Sequence, residues 1–345
     1  MNTVSNPLAQ NWSQRLNEAY NGREGVCQRS VRLPASGPMT VSGEGRSVTI
    51  TLRADTVVRN MQENSAAFEG WSLALRRWCE VEKVTLQWDF PGCCEFGELQ
   101  KRHYQRFLYR VAQFQSLFPE WFVGGQPELL PQSQILSGSE LFLNVAGDRS
   151  SDMSEPVHVA GSRAKRRPEY ELEMKLLGSG DFLRHYGLSD KSIVDRQFPV
   201  GLFSSSDPTK ASQIFPGGKG AIDLVCLDEN VFWLFELKAA FNLSVGTVAE
   251  LIFYTSMIRD AVGRRFRFAR GKASKISSEK IAGVTKIVAV MLGHNLHPLL
   301  ADPGVMTLLN DAAGRHWNEC RGFPQVSFRA SEIECDDPLK IRDVR

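Results

Sequence analysis

The chain has 345 residues, 42% hydrophobic and 23% charged, with a formal net charge of +2. That length suits two domains, and the composition is that of an ordinary soluble globular protein. The near-neutral balance excludes a uniformly basic nucleic-acid binder, so any basic surface must be local. Seven cysteines, at 27, 79, 93, 94, 226, 320 and 335, form no C-x-x-C pair. This argues against a zinc ribbon, and the odd number fits a reducing, cytoplasmic setting better than a disulfide scaffold. Met1 to Pro7 has no charged region leading into an apolar core, and no apolar run approaches membrane-spanning length, so no membrane partner is expected.

In chain order, residues 11 to 19 suit a short helix, and Val48 to Leu52 alternate as a strand. Residues 66 to 79 read as a helix carrying Trp71, Leu73, Leu75 and Trp78. Val81 to Phe90 returns to strand alternation before Pro91-Gly92 breaks it. Residues 98 to 118 form the clearest helix of this half, with Tyr104, Phe107, Leu108, Val111, Phe114, Leu117 and Phe118 on one face. Lys101, Arg102, Arg106 and Arg110 occupy other positions. They suit either a phosphate-binding face or a solvated face of a packing helix, and the packing helix is the simpler reading. Leu141 to Leu143 resembles a short strand. Residues 1–150 thus read as a separate α+β domain without a catalytic signature, for recognition or regulation, open to a second copy of the chain or a partner protein.

The composition shifts at residues 145 to 168, a linker ending in the basic run Arg163 to Arg167. Residues 160–345 follow as a second domain. Pro168 opens a helix, Glu169 to Leu177, closed by Gly178 and Gly180. Ser192 to Phe203 suits a first core strand. Gly220 to Lys238 then reads as a β-hairpin: two β-branched, aliphatic and aromatic runs flank the polar turn Asp228-Glu229-Asn230. A turn centred between Glu229 and Asn230 makes Asp223 and Glu236 cross-strand partners, with Cβ atoms roughly 4.5–5.5 Å apart. Lys238, two residues past Glu236, points to the same face. Facing carboxylates repel, whereas a hard divalent cation between them turns repulsion into coordination. With an ammonium alongside to orient water or steady a phosphate oxygen, the set suits metal-assisted phosphodiester hydrolysis.

Asp223, the hairpin and Glu236-Leu237-Lys238 resemble the PD-(D/E)XK nuclease superfamily, with Ile222 where the motif has Pro. The resemblance covers roughly residues 165 to 295. It implies a restriction-endonuclease-like α/β sandwich with a mixed sheet, and Mg²⁺-dependent cleavage in which Mn²⁺ can substitute. DNA is expected ahead of RNA, in defence against foreign DNA or in repair. It also implies an acidic residue from the preceding helix, where Glu169 fits first and Glu173 second, and a Gln–Tyr pair on the next helix. This chain has Glu250 and Tyr254 at that spacing, which leaves the role of Glu250 open. The alternative is a catalytically silent binding or scaffolding protein on a nuclease-like fold.

Residues 246 to 260 read as that helix. Residues 261 to 280 then carry Arg264, Arg265, Arg267, Arg270, Lys272, Lys275 and Lys280 against Glu279, a local charge of +6, interleaved with Phe266 and Phe268. The stretch suits a polyanion backbone, with Arg264, Arg265, Arg267, Arg270 and Lys272 as its phosphate contacts. Val284 to Leu292 is an apolar strand expected parallel to the Glu236 strand. His294 and His297, without acidic or Cys partners, read as loop residues. Residues 298 to 312 look helical, Val326 to Phe328 suits an edge strand, and Glu332 to Arg345 reads as a peripheral tail.

Overall fold

A computed structural model of the protein describes residues 11–22, 31–34, 37–90, 97–125, 140–144, 168–177, 179–216, 221–238, 244–269, 275–336 and 339–344. The linker 145–167 with its arginines, Pro91-Gly92, Gly217 to Gly220, Arg270 and Lys272 lie outside the described residues. The chain is mixed α/β and divides by contacts into two compact units: Met1–Ser137 with Ser244–Glu250, and Gly138–Leu243 with Leu251–Arg345. Among the described residues no helix is long and apolar enough to cross a membrane.

The first unit runs α1 (Trp12–Asn21), β1 (Met39–Glu44), β2 (Ser47–Leu52), α2 (Ala54–Val57), α3 (Phe68–Trp78), β3 (Lys83–Trp88), α4 (Glu98–Leu117) and β4 (Phe122–Gly124). Its sheet has the order β1-β2-β3-β4; β1 and β2 form a hairpin, and β2, β3 and β4 are parallel. Parallel neighbours need crossovers, which α3 and α4 supply. Val48, Ile50 and Leu52 alternate inward, and Phe68, Phe107, Phe114 and Phe122 pack as an aromatic cluster.

The basic side of α4 is not a solvated face. Arg106 and Arg110 are buried. Arg110 Nε donates to Glu69 Oε1 at 2.7 Å, and its Nη2 donates to Glu69 Oε2 and to the Ala66 carbonyl. Its guanidinium also lies 5.1 Å from the Phe68 ring centre. The fork of α4 therefore closes on α3 rather than on phosphate. Lys101 stays exposed and pairs with Glu98.

Ser244–Glu250 completes this unit. Ser244 Oγ donates to the Gln62 carbonyl at 2.6 Å, Val245 N–H donates to Asn64 Oδ1 at 3.1 Å, and Gln62 Nε2 donates to Glu250. A Cβ at Gly246 would meet the Gln62 carbonyl at 2.4 Å, which explains the glycine.

The second unit runs β5 (Phe142–Leu143), α5 (Pro168–Leu177), α6 (Gly180–Tyr186), β6 (Ile193–Pro199), β7 (Leu202–Phe203), β8 (Ala221–Asp228) and β9 (Val231–Lys238). It continues with α7 (Gly246–Val262), β10 (Arg267–Phe268), α8 (Ser278–Ala282), β11 (Lys286–Gly293), α9 (Pro298–Ala301), α10 (Pro303–Ala312), β12 (Gln325–Asp336) and β13 (Leu339–Asp343). The unit boundary falls within α7, after Glu250. A small sheet has the order β10-β5-β7, and the main sheet the order β13-β12-β11-β9-β8-β6. In the main sheet β9, β11 and β12 are mutually parallel, while β8, β6 and β13 join antiparallel.

Both faces of the central hairpin are buried. Leu224, Cys226, Trp233, Phe235 and Leu237 share a core with Leu172 and Leu176 of α5 and Phe182 and Tyr186 of α6. Val225, Leu227, Phe232 and Leu234 are buried on the other face.

The C-terminal segment departs from expectation. β12 is a 12-residue strand: Val326 to Phe328 lies at the sheet edge as expected, while from Ser331 on β13 pairs outside it, so the tail is part of the sheet. The triplet Val326 to Phe328 looks isolated in sequence because side chains, not a neighbouring strand, complete its outer side. Asn318 bonds the N–H and carbonyl of Val326, and Asn310 does the same for Phe328. Beyond Ser331 the chain returns as β13, with Ser331 Oγ donating to Asp343 at 2.7 Å.

Candidate active site

The hairpin is the scaffold of the site. Its turn needs a left-handed first residue, and Glu229 takes φ +52. This fixes the register Asp228↔Val231 through Leu224↔Phe235, where the pairing ends. Asp223 and Glu236 are the next residues along each strand, and alternation turns both away from the α5–α6 core. At the ladder's end Asp223 Oδ2 accepts from the Leu237 N–H at 2.8 Å, so the carboxylate is satisfied by the backbone of the facing strand. Lys238 Nζ donates to Glu236 Oε1 at 3.0 Å, so ammonium and carboxylate share one face. Both are 4% exposed, whereas Asp223 is half-buried.

The neighbouring parallel strand makes room for this pair. Gly293 of β11 lies beside Lys238, and a Cβ there would stand 2.7 Å from the Lys238 carbonyl. No other residue type lets the two backbones approach this closely without displacement.

Helix α5 brings Glu173 rather than Glu169 to the hairpin. Leu172 and Leu176 are buried against the sheet, and this phase carries Glu173 inward to 4% exposure. Glu169 sits one turn earlier and remains half-buried. Gln197 Nε2 donates to Glu173 Oε1 at 2.6 Å and to Asp223 Oδ1 at 3.5 Å. Arg196 Nη1 reaches Glu173 Oε2 at 3.3 Å, with its guanidinium 5.4 Å from the Tyr170 ring centre. Burial pushes the Glu173 carboxyl above its ordinary pKa against these hydrogen bonds, and the charge of Glu169 adds to the rise.

The sequence reading did not include Arg196, Gln197 or Gly293. The polar run Asp195-Arg196-Gln197 inside an apolar strand is the signal for the first two. Glu250 is buried and accepts from Gln62 of the first unit.

The basic segment is only partly basic in effect. Arg265 Nη1 lies 3.2 Å from the buried Asp260, and Arg267 Nη2 lies 2.7 Å from Glu140. Arg264 is exposed with φ +59. Phe266 is buried and anchors the segment. At its far end the Lys275 N–H donates to Asp195 Oδ2 at 3.0 Å, which ties the segment to β6, two residues from Gln197. His297 is a helix cap: its Nδ1 accepts from the Leu299 N–H.

The donor set consists of hard carboxylate oxygens. Among the described residues no three His, Cys, Asp or Glu side chains converge as a metal cage. Mg²⁺ does not require one, because it keeps its waters and binds through one or two carboxylates together with substrate phosphate. Asp223 and Glu236 fit that pattern in kind. No family model matches the chain, and it has no significant match among curated proteins or solved structures.

Proposed function

We propose that the second unit is a metal-dependent phosphodiesterase of the PD-(D/E)XK type, built on a restriction-endonuclease-like core and acting on nucleic acid, DNA ahead of RNA. The observation that carries this reading is the hairpin end, where Lys238 donates to Glu236, Asp223 accepts from the Leu237 N–H between them, and Gln197 links Asp223 to Glu173. Glu236 pairs with Lys238, Glu173 with Arg196, and Asp223 is linked to Glu173 through Gln197, so three carboxylates stand against one ammonium and one guanidinium along this end of the sheet. A fold does not gather that acid excess for stability, since like charges repel.

Asp223 and Glu236 would hold Mg²⁺ or Mn²⁺, which when bound supplies Lewis-acid activation of water and of the phosphoryl oxygen. Lys238 supplies a fixed positive charge where negative charge grows on the phosphate during attack. Its burial strengthens that charge, because little water screens it. Glu236 holds the ammonium in place in the resting protein.

A second reading, a catalytically silent scaffold, draws support from the direct Lys238–Glu236 pair, which a purely structural site would also contain. The deciding experiment incubates the full chain with linear duplex, circular and single-stranded DNA and with RNA, in Mg²⁺, Mn²⁺ or chelator. Cleavage that requires metal and is lost in Asp223→Asn supports the nuclease. Absence of cleavage on all four substrates, or equal cleavage by Asp223→Asn, rejects this assignment.

A further inference from the structure

Four non-glycine residues among those described have φ in the left-handed region: Glu80, Gln197, Glu229 and Arg264. Glu229 is at a hairpin turn, and Glu80 and Arg264 lie in connections. Gln197 alone of the four stands inside a strand. The β6–β8 ladder pairs Arg196 with Leu224 and Phe198 with Ile222, and Gln197 falls between them at the level of Asp223. A left-handed residue in mid-strand is costly for any side chain, and glycine would remove the cost.

The side chain supplies a reason for keeping it. A primary amide nitrogen carries two N–H donors. Here one goes to Glu173 on α5 and the other to Asp223 on β8, at 2.6 and 3.5 Å. An amide that donates to two carboxylates holds them near each other without neutralising either. A lysine in its place would compete with a cation, and an apolar residue would leave the carboxylates to repel.

We propose that Gln197 is a positioning residue that fixes Asp223 relative to Glu173 for phosphodiester cleavage, its left-handed backbone kept in the strand for that purpose. This rests on the nuclease reading above. Glycine and asparagine both accept the left-handed conformation, but neither reaches both carboxylates. Glutamate keeps the length and loses the donors.

The test compares wild type with Gln197→Gly, Gln197→Asn and Gln197→Glu by thermal melting, Mn²⁺ titration calorimetry and DNA cleavage. Gln197→Gly and Gln197→Asn should melt at or above the wild-type temperature. All three variants should bind Mn²⁺ about 10–100-fold more weakly, as expected when a residue orienting a ligand is lost. Cleavage should fall in kcat, with KM for DNA little changed.

Gln197→Gly that binds Mn²⁺ and cleaves like wild type overturns the proposal while leaving the nuclease reading intact. Gln197→Gly that melts well below wild type also overturns it, because the residue would then be structural. A wild-type protein that neither binds Mn²⁺ nor cleaves any substrate defeats the nuclease reading, and the role of Gln197 falls with it.

Discussion

Arg110–Glu69 in the first unit and Lys238–Glu236 in the second are both buried ion pairs, but their surroundings differ. Arg110 meets two carboxylate oxygens and a carbonyl, and its flat face rests on Phe68. One positive charge meets one negative charge, and the pair closes a helix–helix contact. Lys238 pairs with Glu236 at the end of a sheet, with Asp223 on the next strand and Gln197 linking Asp223 to Glu173. Acids outnumber bases there, and a strained residue is retained. Burial of charge alone thus says little about function; the balance of charge and the strain around it distinguish a structural pair from a candidate site.

The largest expected effect comes from breaking each pair on one side and then on both. Arg110→Met leaves Glu69 charged in the core and should cost about 3–5 kcal/mol. Arg110→Met with Glu69→Leu should recover most of that, because a well-packed apolar pair is often as stable as the ion pair it replaces. Lys238→Met should likewise destabilise, and Lys238→Met with Glu236→Leu should recover. The two pairs part in activity. Provided the protein is folded at the assay temperature, the first double variant keeps cleavage, while the second loses it by about 10²–10³-fold or more. Denaturant melts and cleavage rates on the four variants decide this. Full activity in the Lys238→Met, Glu236→Leu variant would make the second pair as structural as the first.

The same contrast explains what the sequence revealed. The hairpin register was legible because a short polar turn between two apolar runs leaves few choices, and Leu224 does face Phe235. The parallel pairing of β9 and β11 followed from the long crossover between them. Arg110 read as a solvent-facing charge because its partner Glu69 lies 41 residues earlier, beyond any helical spacing. Choosing Glu173 over Glu169 needed the phase of α5 against the sheet, which Leu172 and Leu176 set only once the sheet is there. Gln197 was hidden for a different reason: its role depends on a backbone angle that no residue pattern announces. β12 was shortened in the reading because Asn310 and Asn318, distant in sequence, do the work of a neighbouring strand.

A smaller effect belongs to the first unit and is read by pH. Burial first, and Arg106 beside it second, push the His103 pKa down from 6.5 to about 4. The folded protein therefore keeps His103 neutral where the unfolded chain takes up a proton. The stability from this difference is complete above about pH 6.5 and is lost as pH falls toward 4. The ring is about half-exposed, so screening reduces the full linkage to about 1–2 kcal/mol. His103→Gln should flatten the fall in unfolding free energy, read from denaturant melts, between pH 7 and pH 4.5 by up to that amount. An identical fall in both proteins would show that other groups carry the pH dependence.

The smallest expected effect concerns Arg264, and it extends the question of charge balance to the basic segment. Arg265 and Arg267 already face Asp260 and Glu140, so a phosphate must compete with a carboxylate for each. Removing Arg265 would also take one ion-pair partner from the buried Asp260, which Arg259 also faces, confusing binding with stability. Arg264 is exposed, and its left-handed φ of +59 suits glycine, so Arg264→Gly removes the charge without straining the turn. If Arg264 contacts one phosphate of duplex DNA, the log–log salt slope of binding should fall in magnitude by about 0.9. Preference among DNA sequences should not change, because phosphate contacts position rather than specify. The measurement is a salt titration of DNA affinity in chelator, for wild type, Arg264→Gly and Asp223→Asn. Asp223→Asn should bind as well as wild type or better, since it removes a charge that repels the backbone. Wild-type affinity and slope in Arg264→Gly would make Arg264 a turn residue closing the chain after α7, with Arg265 and Arg267 beside it carboxylate-matched in the same structural way as Arg110.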